Sequence, residues 1–285
     1  MSKILAVDLD GTLLYPSKFF RIVPKKNVRF LRHWIDAGNK LVLVSSRGPD
    51  FMDRLKKEIE RDFDYISYTS SFIKADGKVI KDVSISAEEM TEILNKIEDK
   101  YQPLAYLMDV KGRPMLIKNL NVGTRFLLFF YRLYWVFQGK KREPFILSNE
   151  KFDEGLAQGN VYKVMVFFGL AKKNGEISKT INKGLREQFP DVECSWTSVV
   201  NEITPNNCNK GEGLRYYCDY LKINHEDVYV VGDSGNDISM FNLFHENSYC
   251  MAKAYPSVKK YAAHTISRVH KLDKLVLQKG ENKNE

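Results

Sequence analysis

Two aspartates near the start of the chain have the type and spacing of metal-assisted chemistry. The apolar run Ile4–Val7 is followed at once by Asp8-Leu9-Asp10-Gly11-Thr12. Residues two apart on an extended segment point the same way, so we expect Asp8 and Asp10 to face one pocket, with Gly11 allowing a turn. Such close carboxylates repel unless a cation lies near them, and Mg²⁺ prefers hard oxygen ligands of this kind. A plain turn remains the alternative, because Asp and Gly are common turn formers.

Two other apolar runs also end in polar side chains. Leu41–Val44 leads into Ser45-Ser46-Arg47, and Val228–Val231 leads into Gly232-Asp233-Ser234-Gly235-Asn236-Asp237. In an open parallel sheet the carboxyl ends of the strands share one edge, and ligands bind there. Four aspartates at one edge would require a divalent cation, so we predict Asp8 and Asp233 as direct ligands. The alternative for residues 233–237 is a Gly/Ser/Asn-rich turn that caps a helix.

The elements between these runs predict how they are positioned. Helical spacing over 24–38 separates the first two runs, and the order strand, helix, strand implies a parallel pair with a right-handed crossover. Further predicted elements are a helix over 49–63, a strand over 65–69, a hairpin at 75–77, and helices over 213–221 and from 238 to 244. We therefore predict an α/β fold with a Rossmann-like parallel sheet.

The pattern changes from about residue 84, where Ser86-Ala87-Glu88-Glu89 resembles the capping box of a helix that runs to Tyr101. Strands are predicted over 104–108, 114–118, 161–170 and 193–204, and helices over 122–138 and 175–189. Short strands mixed with helices indicate an α+β module inserted between two parts of the core. We predict that the core comprises 1–82 and 190–285 and the insertion 83–189.

Composition limits the classes of protein that fit. With 285 residues, 44% hydrophobic and 28% charged, the chain is typical of a globular protein with one domain that carries a large insertion, or with two domains. Its net charge is +8, but 36 acidic residues are spread among the basic ones and no nucleic-acid-binding signature accompanies them. We therefore expect no nucleic-acid partner, and an anionic small substrate explains the positive bias equally well.

The sequence features that bear on the location of the protein in the cell point to the cytoplasm. Met1-Ser2-Lys3 leads straight into the first strand, without the pattern of a signal peptide. The four cysteines form no CxxC pair, so reduced thiols are expected. The aromatic stretch 126–137 is too short to span a membrane and contains Arg132. The leading interpretation is a cap helix buried on its sheet, with a subunit contact as a further option for the same helix. It stands ahead of a lid over an apolar or aromatic part of a substrate and of docking on a membrane surface.

Four motifs, taken in order, resemble those of the haloacid dehalogenase (HAD) superfamily. They are DLDGT at 8–12, Ser-Ser-Arg at 45–47, Lys210 in a loop that leads to a helix, and GDSGNDISM at 232–240. The insertion resembles the C2B cap of the Cof-type, class IIB phosphatases. The resemblance covers roughly 1–80 and 190–275. Two departures stand out, since the family commonly has Thr-Gly-Arg where this chain has residues 45–47, and Asn-Gly near residues 69–71.

The resemblance implies a Mg²⁺-dependent phosphatase that acts on small phosphorylated metabolites, sugar phosphates first, through an aspartyl-phosphate. It implies that Asp8 is the nucleophile and that Asp10 is a general acid and then a general base. The other implied roles are phosphate binding by Ser45, Ser46 and Lys210, metal binding by Asp8, Asp233, Asp237 and the main-chain oxygen of Asp10, and support from Asn236 and Thr12.

Three alternatives to a phosphatase bear on the function. A phosphomutase of the same superfamily would need a second phosphate site, for which Arg113, Arg125 and Arg142 are candidates. A P-type ATPase does not fit, because that family has Thr where this chain has Asp10 and needs membrane spans. A phosphate-binding regulator without turnover is the non-enzymatic alternative. A homo-oligomer assembled through the cap is left open.

Overall fold

The computed structural model describes residues 2–16, 19–120, 133, 136–137, 139–169, 172–196 and 200–277. The chain divides into two compact units, one made of Met1–Lys81 and Asn209–Glu285, the other of Asp82–Cys208. The second unit is therefore an insertion in the first. The insertion begins at Asp82, one residue before the expected start at residue 83. The expected end near residue 190 is wrong, because the insertion continues to Cys208.

The elements of the described residues have these bounds. The strands are β1 (Ile4–Asp8), β2 (Lys40–Val44), β3 (Asp64–Ser67), β4 (Phe72–Ala75), β5 (Lys78–Asp82), β6 (Ala105–Val110), β7 (Met115–Asn119), β8 (Phe145–Leu147), β9 (Val161–Phe167), β10 (Val192–Trp196), β11 (Val200–Pro205), β12 (Val228–Gly232), β13 (Ser248–Met251) and β14 (His264–Ile266). The helices are α1 (Lys25–Asp36), α2 (Pro49–Ile59), α3 (Ala87–Tyr101), α4 (Asn149–Gln158), α5 (Lys172–Gln188), α6 (Lys210–Leu221), α7 (Ile238–Leu243) and α8 (Pro256–Lys259).

The first unit is built on a sheet with the strand order β14-β13-β12-β1-β2-β3-β4-β5. The strands from β14 to β3 are parallel, and β4 runs antiparallel to β3. Side chains alternate across β1, so Leu5 and Val7 join a hydrophobic core on one face while Ile4 and Ala6 join a second core on the other. Burial on both faces explains the continuous apolar runs of the sequence. The predicted α/β fold with a parallel sheet is confirmed.

The second unit contains a sheet with the order β10-β11-β9-β6-β7-β8, antiparallel except for the pair β7 and β8. Its hydrophobic core includes Met90, Phe152 and Ile181 from α3, α4 and α5, packed with the sheet residue Val164. The predicted α+β insertion is present. The single strand predicted over 193–204 is wrong, because the structure has two antiparallel strands there, and β11 pairs with β9 of the inserted sheet.

The helix predicted over 122–138 and the aromatic stretch 126–137 lie outside the described residues, apart from Leu133, Val136 and Phe137, which are exposed. Across the ranges that the structure describes, no helix combines the length and apolar character needed to cross a bilayer.

Candidate active site

Three aspartates from opposite ends of the chain meet at one edge of the first sheet. β1 and β12 are parallel neighbours in which Val7 pairs with Val231, so both strands leave the sheet at the same edge. One carboxylate oxygen from each of Asp8, Asp233 and Asp237 lies within 4.8 Å of the other two. The sheet topology therefore brings together three of the four aspartates that the sequence places at this edge, and Asp10 is not among the three.

The turn after β1 packs directly against this cluster. Gly11 has a φ of +84°, and a Cβ built on it would lie 2.2 Å from Asp233 Oδ2. Both the backbone conformation and the lack of space require glycine at this position. Next to it, the hydroxyl of buried Thr12 donates a hydrogen bond of 3.2 Å to Asp233 Oδ1. The DLDGT turn thus helps to orient the Asp233 carboxylate.

Lys210 lies between two of the aspartates. Its Nζ is 2.7 Å from Asp8 Oδ1 and 2.6 Å from Asp237 Oδ1, and its side chain is only 1% exposed. Burial by itself disfavours the ammonium, but the charges of Asp237 and Asp8 outweigh it and raise the pKa of Lys210. Lys210 is therefore a cation that links the two carboxylates.

Lys210 is the first residue of α6, and not part of a preceding loop as the sequence suggested. Two glycines allow this end of the helix to pack closely. A Cβ on Gly211 would lie 2.5 Å from the main-chain oxygen of Ser239, and a Cβ on Gly213 would lie 2.2 Å from Ser70 Cβ. The glycines in Lys210-Gly211-Glu212-Gly213 therefore mark close contacts on two sides of the helix.

Asp237 organises the loop after β12. Its Oδ2 accepts hydrogen bonds of 2.9 Å from the main-chain N–H groups of Asp233 and Ser234, while its Oδ1 faces Lys210. Asn236 accepts a hydrogen bond of 2.7 Å from the Ser234 hydroxyl. Since both oxygens of Asp237 are engaged, this residue fits a supporting position better than a direct metal ligand.

The Asp8 carboxylate fits a divalent cation. Burial raises the pKa of Asp8 to about 8, although the charge of Lys210 acts in the opposite direction. Its Oδ2 is buried and has no hydrogen-bond partner among the described residues. An unsatisfied buried oxygen is costly, and hard divalent cations bind such oxygens. Asp8 and Asp233 therefore have the chemistry of a metal site, which the unpartnered oxygen supports independently of the motif.

Asp10 is not one of the three clustered aspartates, and it pairs with Arg47. Arg47 Nε lies 2.6 Å from Asp10 Oδ2, and Nη2 lies 2.9 Å from Oδ1. The Arg47 guanidinium also stacks over the Phe51 ring, 4.1 Å from its centroid. The side chain of Asp10 is 56% exposed, so a substrate can reach it. Sequence reasoning assigned no role to Arg47, although its place after a strand end was a usable signal.

Ser45 follows β2, the neighbour of β1 in the sheet. It is 2% exposed, and its Oγ accepts a hydrogen bond of 3.1 Å from the Arg47 N–H. Ser46 is half-buried beside it. The loop that contains the Ser45 and Ser46 hydroxyls therefore follows the strand next to the one that ends in Asp8.

Lys253, in the turn after β13, is a site residue that sequence reasoning missed. Its Nζ lies 3.2 Å from Asp233 Oδ2 and 4.5 Å from the centroid of the Tyr15 ring. Burial raises the pKa of Asp233, and the Lys253 charge opposes that shift. A single lysine outside the GDSGND motif has no spacing signal that could have identified it.

Comparison with known proteins supports the family resemblance independently of the geometry of the site. A family model described as haloacid dehalogenase-like hydrolase matches residues 5–274 of the chain. A 5-amino-6-(5-phospho-D-ribitylamino)uracil phosphatase of Bacillus subtilis is 23% identical over 254 residues, which cover 85% of each protein.

Among the solved structures with a similar fold, two cover nearly the whole chain. A haloacid dehalogenase-like hydrolase from Bacteroides thetaiotaomicron superposes with a TM-score of 0.73 at 19% identity, covering 97% of this chain and 100% of that one. A HAD subclass IIB sugar phosphatase superposes with a TM-score of 0.71 at 20% identity, covering 96% and 98%. The architecture of core plus insertion is therefore shared with these proteins.

Proposed function

Because the chain belongs to the haloacid dehalogenase-like hydrolase family, we propose that it is a Mg²⁺-dependent phosphatase that hydrolyses phosphomonoesters of small metabolites through an aspartyl-phosphate. The observation that carries the proposal is the environment of Asp8. One of its oxygens pairs with Lys210, and the other is buried without a hydrogen-bond partner among the described residues. One of the two also lies within 4.8 Å of an Asp233 oxygen. This is the environment of a reactive carboxylate next to a cation site.

In the proposed mechanism, Asp8 attacks phosphorus, forming an oxygen–phosphorus bond while the bond to the leaving oxygen breaks. Lys210 fixes the orientation of Asp8, and its ammonium, with the Ser45 hydroxyl and the Ser46 loop, compensates the charge of the phosphoryl oxygens. Phosphoryl transfer depends mainly on positioning and on charge compensation. Water then hydrolyses the aspartyl-phosphate and regenerates Asp8.

Mg²⁺ is the proposed cofactor. Asp8, Asp233 and the main-chain oxygen of Asp10 would hold it, and Asp237 would act through water because both of its oxygens are engaged. Thr12 and Asn236 would support this shell. The bound cation supplies charge compensation for the phosphoryl group and a template for its orientation.

Asp10 is the proposed general acid and base. The paired guanidinium of Arg47 stabilises its carboxylate form, which suits activation of the hydrolytic water. Donation of a proton to the leaving oxygen requires this ion pair to loosen when substrate binds. The exposure of the Asp10 side chain leaves room for that change.

Asp10→Asn is expected to lower turnover by about 10²- to 10⁴-fold with alkyl phosphates, which have poor leaving groups. With p-nitrophenyl phosphate, formation of the aspartyl-phosphate should be nearly unaffected, because its leaving group needs no proton. Rapid-quench measurement of the first turnover, compared with steady-state rates, separates the two steps. Equal losses in the first step for both types of leaving group would exclude Asp10 as the acid.

Lys253→Met is expected to strengthen divalent-cation binding by about fivefold, because it removes a positive charge held against a proposed ligand. Calorimetric titration of the apoenzyme with Mn²⁺ measures this directly. Lys260→Met is the matched control, since Lys260 contacts Tyr261 and not Asp233. Unchanged or weaker Mn²⁺ binding by the Lys253 variant would contradict the expectation.

Sugar phosphates are the first substrate class that we propose. The subclass IIB neighbour is named a sugar phosphatase, and the name of the Bacillus subtilis relative describes a phosphoryl group on a ribityl chain. Phosphate release from a panel of phosphorylated metabolites, with Mg²⁺ and with EDTA, tests the proposal. Release that EDTA abolishes is the expected result. No release from any phosphomonoester, including p-nitrophenyl phosphate, would favour the non-catalytic regulator.

We also propose that the protein works in the cytoplasm. Its four cysteines are buried free thiols, which suits a reducing compartment.

A further inference from the structure

The segment Tyr68–Ser70, which follows β3, has an unusual backbone. Its three residues have φ angles of 48°, 57° and 86°, in the left-handed region that residues other than glycine seldom adopt. This conformation also explains why β3 ends at Ser67 and does not reach residue 69 as predicted. A non-glycine run of this kind persists only where the surrounding structure determines it.

One side of the segment holds the loop that contains Ser45. The Thr69 N–H donates to the Ser45 carbonyl at 3.1 Å, and the Tyr68 N–H donates to the Arg47 carbonyl at 3.2 Å. A Cβ on Gly48 would lie 2.5 Å from Tyr68 Oη, so the tyrosine side chain covers this glycine directly. The segment therefore fixes the main chain of the Ser45 loop at both ends.

The other side of the segment contacts the helix that carries Lys210. Ser70 is fully buried, and its Cβ would be 2.2 Å from a Cβ on Gly213. Gly213 lies three residues after Lys210, about one helical turn away. The same three residues thus touch both elements that supply the proposed phosphate-binding groups.

The hydroxyl groups of Thr69 and Ser70 gain no hydrogen-bond energy from the described residues in return. Thr69 Oγ1 and Ser70 Oγ are buried and have no hydrogen-bond partner in the part of the chain that the structure describes. Left-handed backbone and buried unpaired hydroxyls both disfavour the folded state. What the segment does provide is a fixed spacing between the Ser45 loop and α6.

We propose that Tyr68–Ser70 is a positioning strap, which sets the distance between the Ser45 loop and Lys210 so that both meet one phosphoryl group. This inference rests on the proposed phosphatase function. Displacement of a positioning group by 1 Å can lower the rate of an enzyme by about 10²-fold. A disturbance of the strap should therefore weaken phosphate binding and turnover, although it changes none of the groups that touch the substrate.

Gly213→Ala is the first test, because the added Cβ collides with Ser70. Alanine favours a helix more than glycine does, so a loss of function would not come from a weaker α6. We expect kcat/KM to fall at least about tenfold and the dissociation constants of inorganic phosphate and orthovanadate to rise by a similar factor. Adding Ser70→Gly removes the colliding Cβ and suits a φ of 86°, so the double variant should recover most of the loss.

Gly184→Ala is the matched control. Gly184 is also a helical glycine, but it lies in α5 of the second unit, where an added Cβ would be 3.3 Å from Tyr101 Oη. Circular dichroism and thermal melts verify folding of each variant. If Gly213→Ala does not fold, Gly48→Ala applies the same test from the other side of the strap, with Tyr68→Leu as the compensating change.

A folded Gly213→Ala protein with unchanged phosphate affinity and turnover would overturn the strap, as would a loss that Ser70→Gly fails to relieve. Failure of the proposed function looks different, because the unaltered enzyme would then release no phosphate from any substrate. In that case the phosphate and orthovanadate titrations still test the strap, since they need no turnover.

Discussion

Asp8→Asn is expected to reduce phosphatase turnover at least about 10⁴-fold, because it removes the nucleophile that would form the covalent intermediate. An asparagine amide has the shape of the carboxylate but cannot attack phosphorus at a useful rate. The fold should persist, since Lys210 retains its ion pair with Asp237. Steady-state phosphate release, with a trapping experiment for the phosphorylated enzyme, measures the effect.

The matched control is Asp64→Asn. Asp64 is also a buried aspartate with specific partners, since it accepts hydrogen bonds of 2.6 Å from the Tyr217 hydroxyl and 2.8 Å from the Asp76 N–H. It begins β3, at the amino end of a parallel strand, whereas Asp8 ends β1. Asp64→Asn should therefore lower stability but leave turnover in place. Activity of more than a few per cent in Asp8→Asn would show that Asp8 is not the nucleophile.

The sequence was sufficient to place Asp8, Asp233 and Asp237 at one edge because one physical rule connects them. Strands buried on both faces appear as continuous apolar runs, and the ends of parallel strands meet at one edge. Asp8 and Asp233 could thus be related although more than two hundred residues separate them. Arg47 and Lys253 also follow ends of parallel strands, but the rule predicts only the edge of the sheet and not the partner, which depends on how long side chains bend across neighbouring loops.

The end of the insertion could not be predicted for a different reason. Residues 197–199 are Thr-Ser-Val, in which Ser198 is the one common turn former and no Gly, Pro, Asn or Asp is present. The stretch 193–204 therefore had the pattern of one strand, and only the pairing of β11 with β9 shows that it belongs to the inserted sheet. Gly211 and Gly213 led to a different error. They suggested a loop, but the structure has a helix there, and the close packing of that helix requires both glycines.

Lys210→Met is expected to lower the free energy of unfolding by about 3–5 kcal/mol in EDTA, because it leaves two buried carboxylates without their shared cation. Turnover should fall as well, since the phosphoryl group loses a counter-charge and Asp8 loses its fixed orientation. A divalent cation bound in the proposed site would supply positive charge beside the same carboxylates. Mg²⁺ should therefore stabilise Lys210→Met more than it stabilises the unaltered protein, which paired urea titrations with Mg²⁺ and with EDTA can measure.

Lys163→Met separates this effect from the general cost of losing a buried lysine. Lys163 is 4% exposed at its side chain and lies 3.2 Å from Asp109 within the second unit. Its replacement should also destabilise the protein, but Mg²⁺ should restore none of that loss, because neither Lys163 nor Asp109 belongs to the acidic cluster. If Mg²⁺ stabilised both variants equally, its effect on Lys210→Met would not come from neutralising the carboxylates that Lys210 pairs with. If Lys210→Met were as stable as the unaltered protein in EDTA, Asp8 and Asp237 would not both be charged in the folded state, and Lys210 would not be the cation that holds them together.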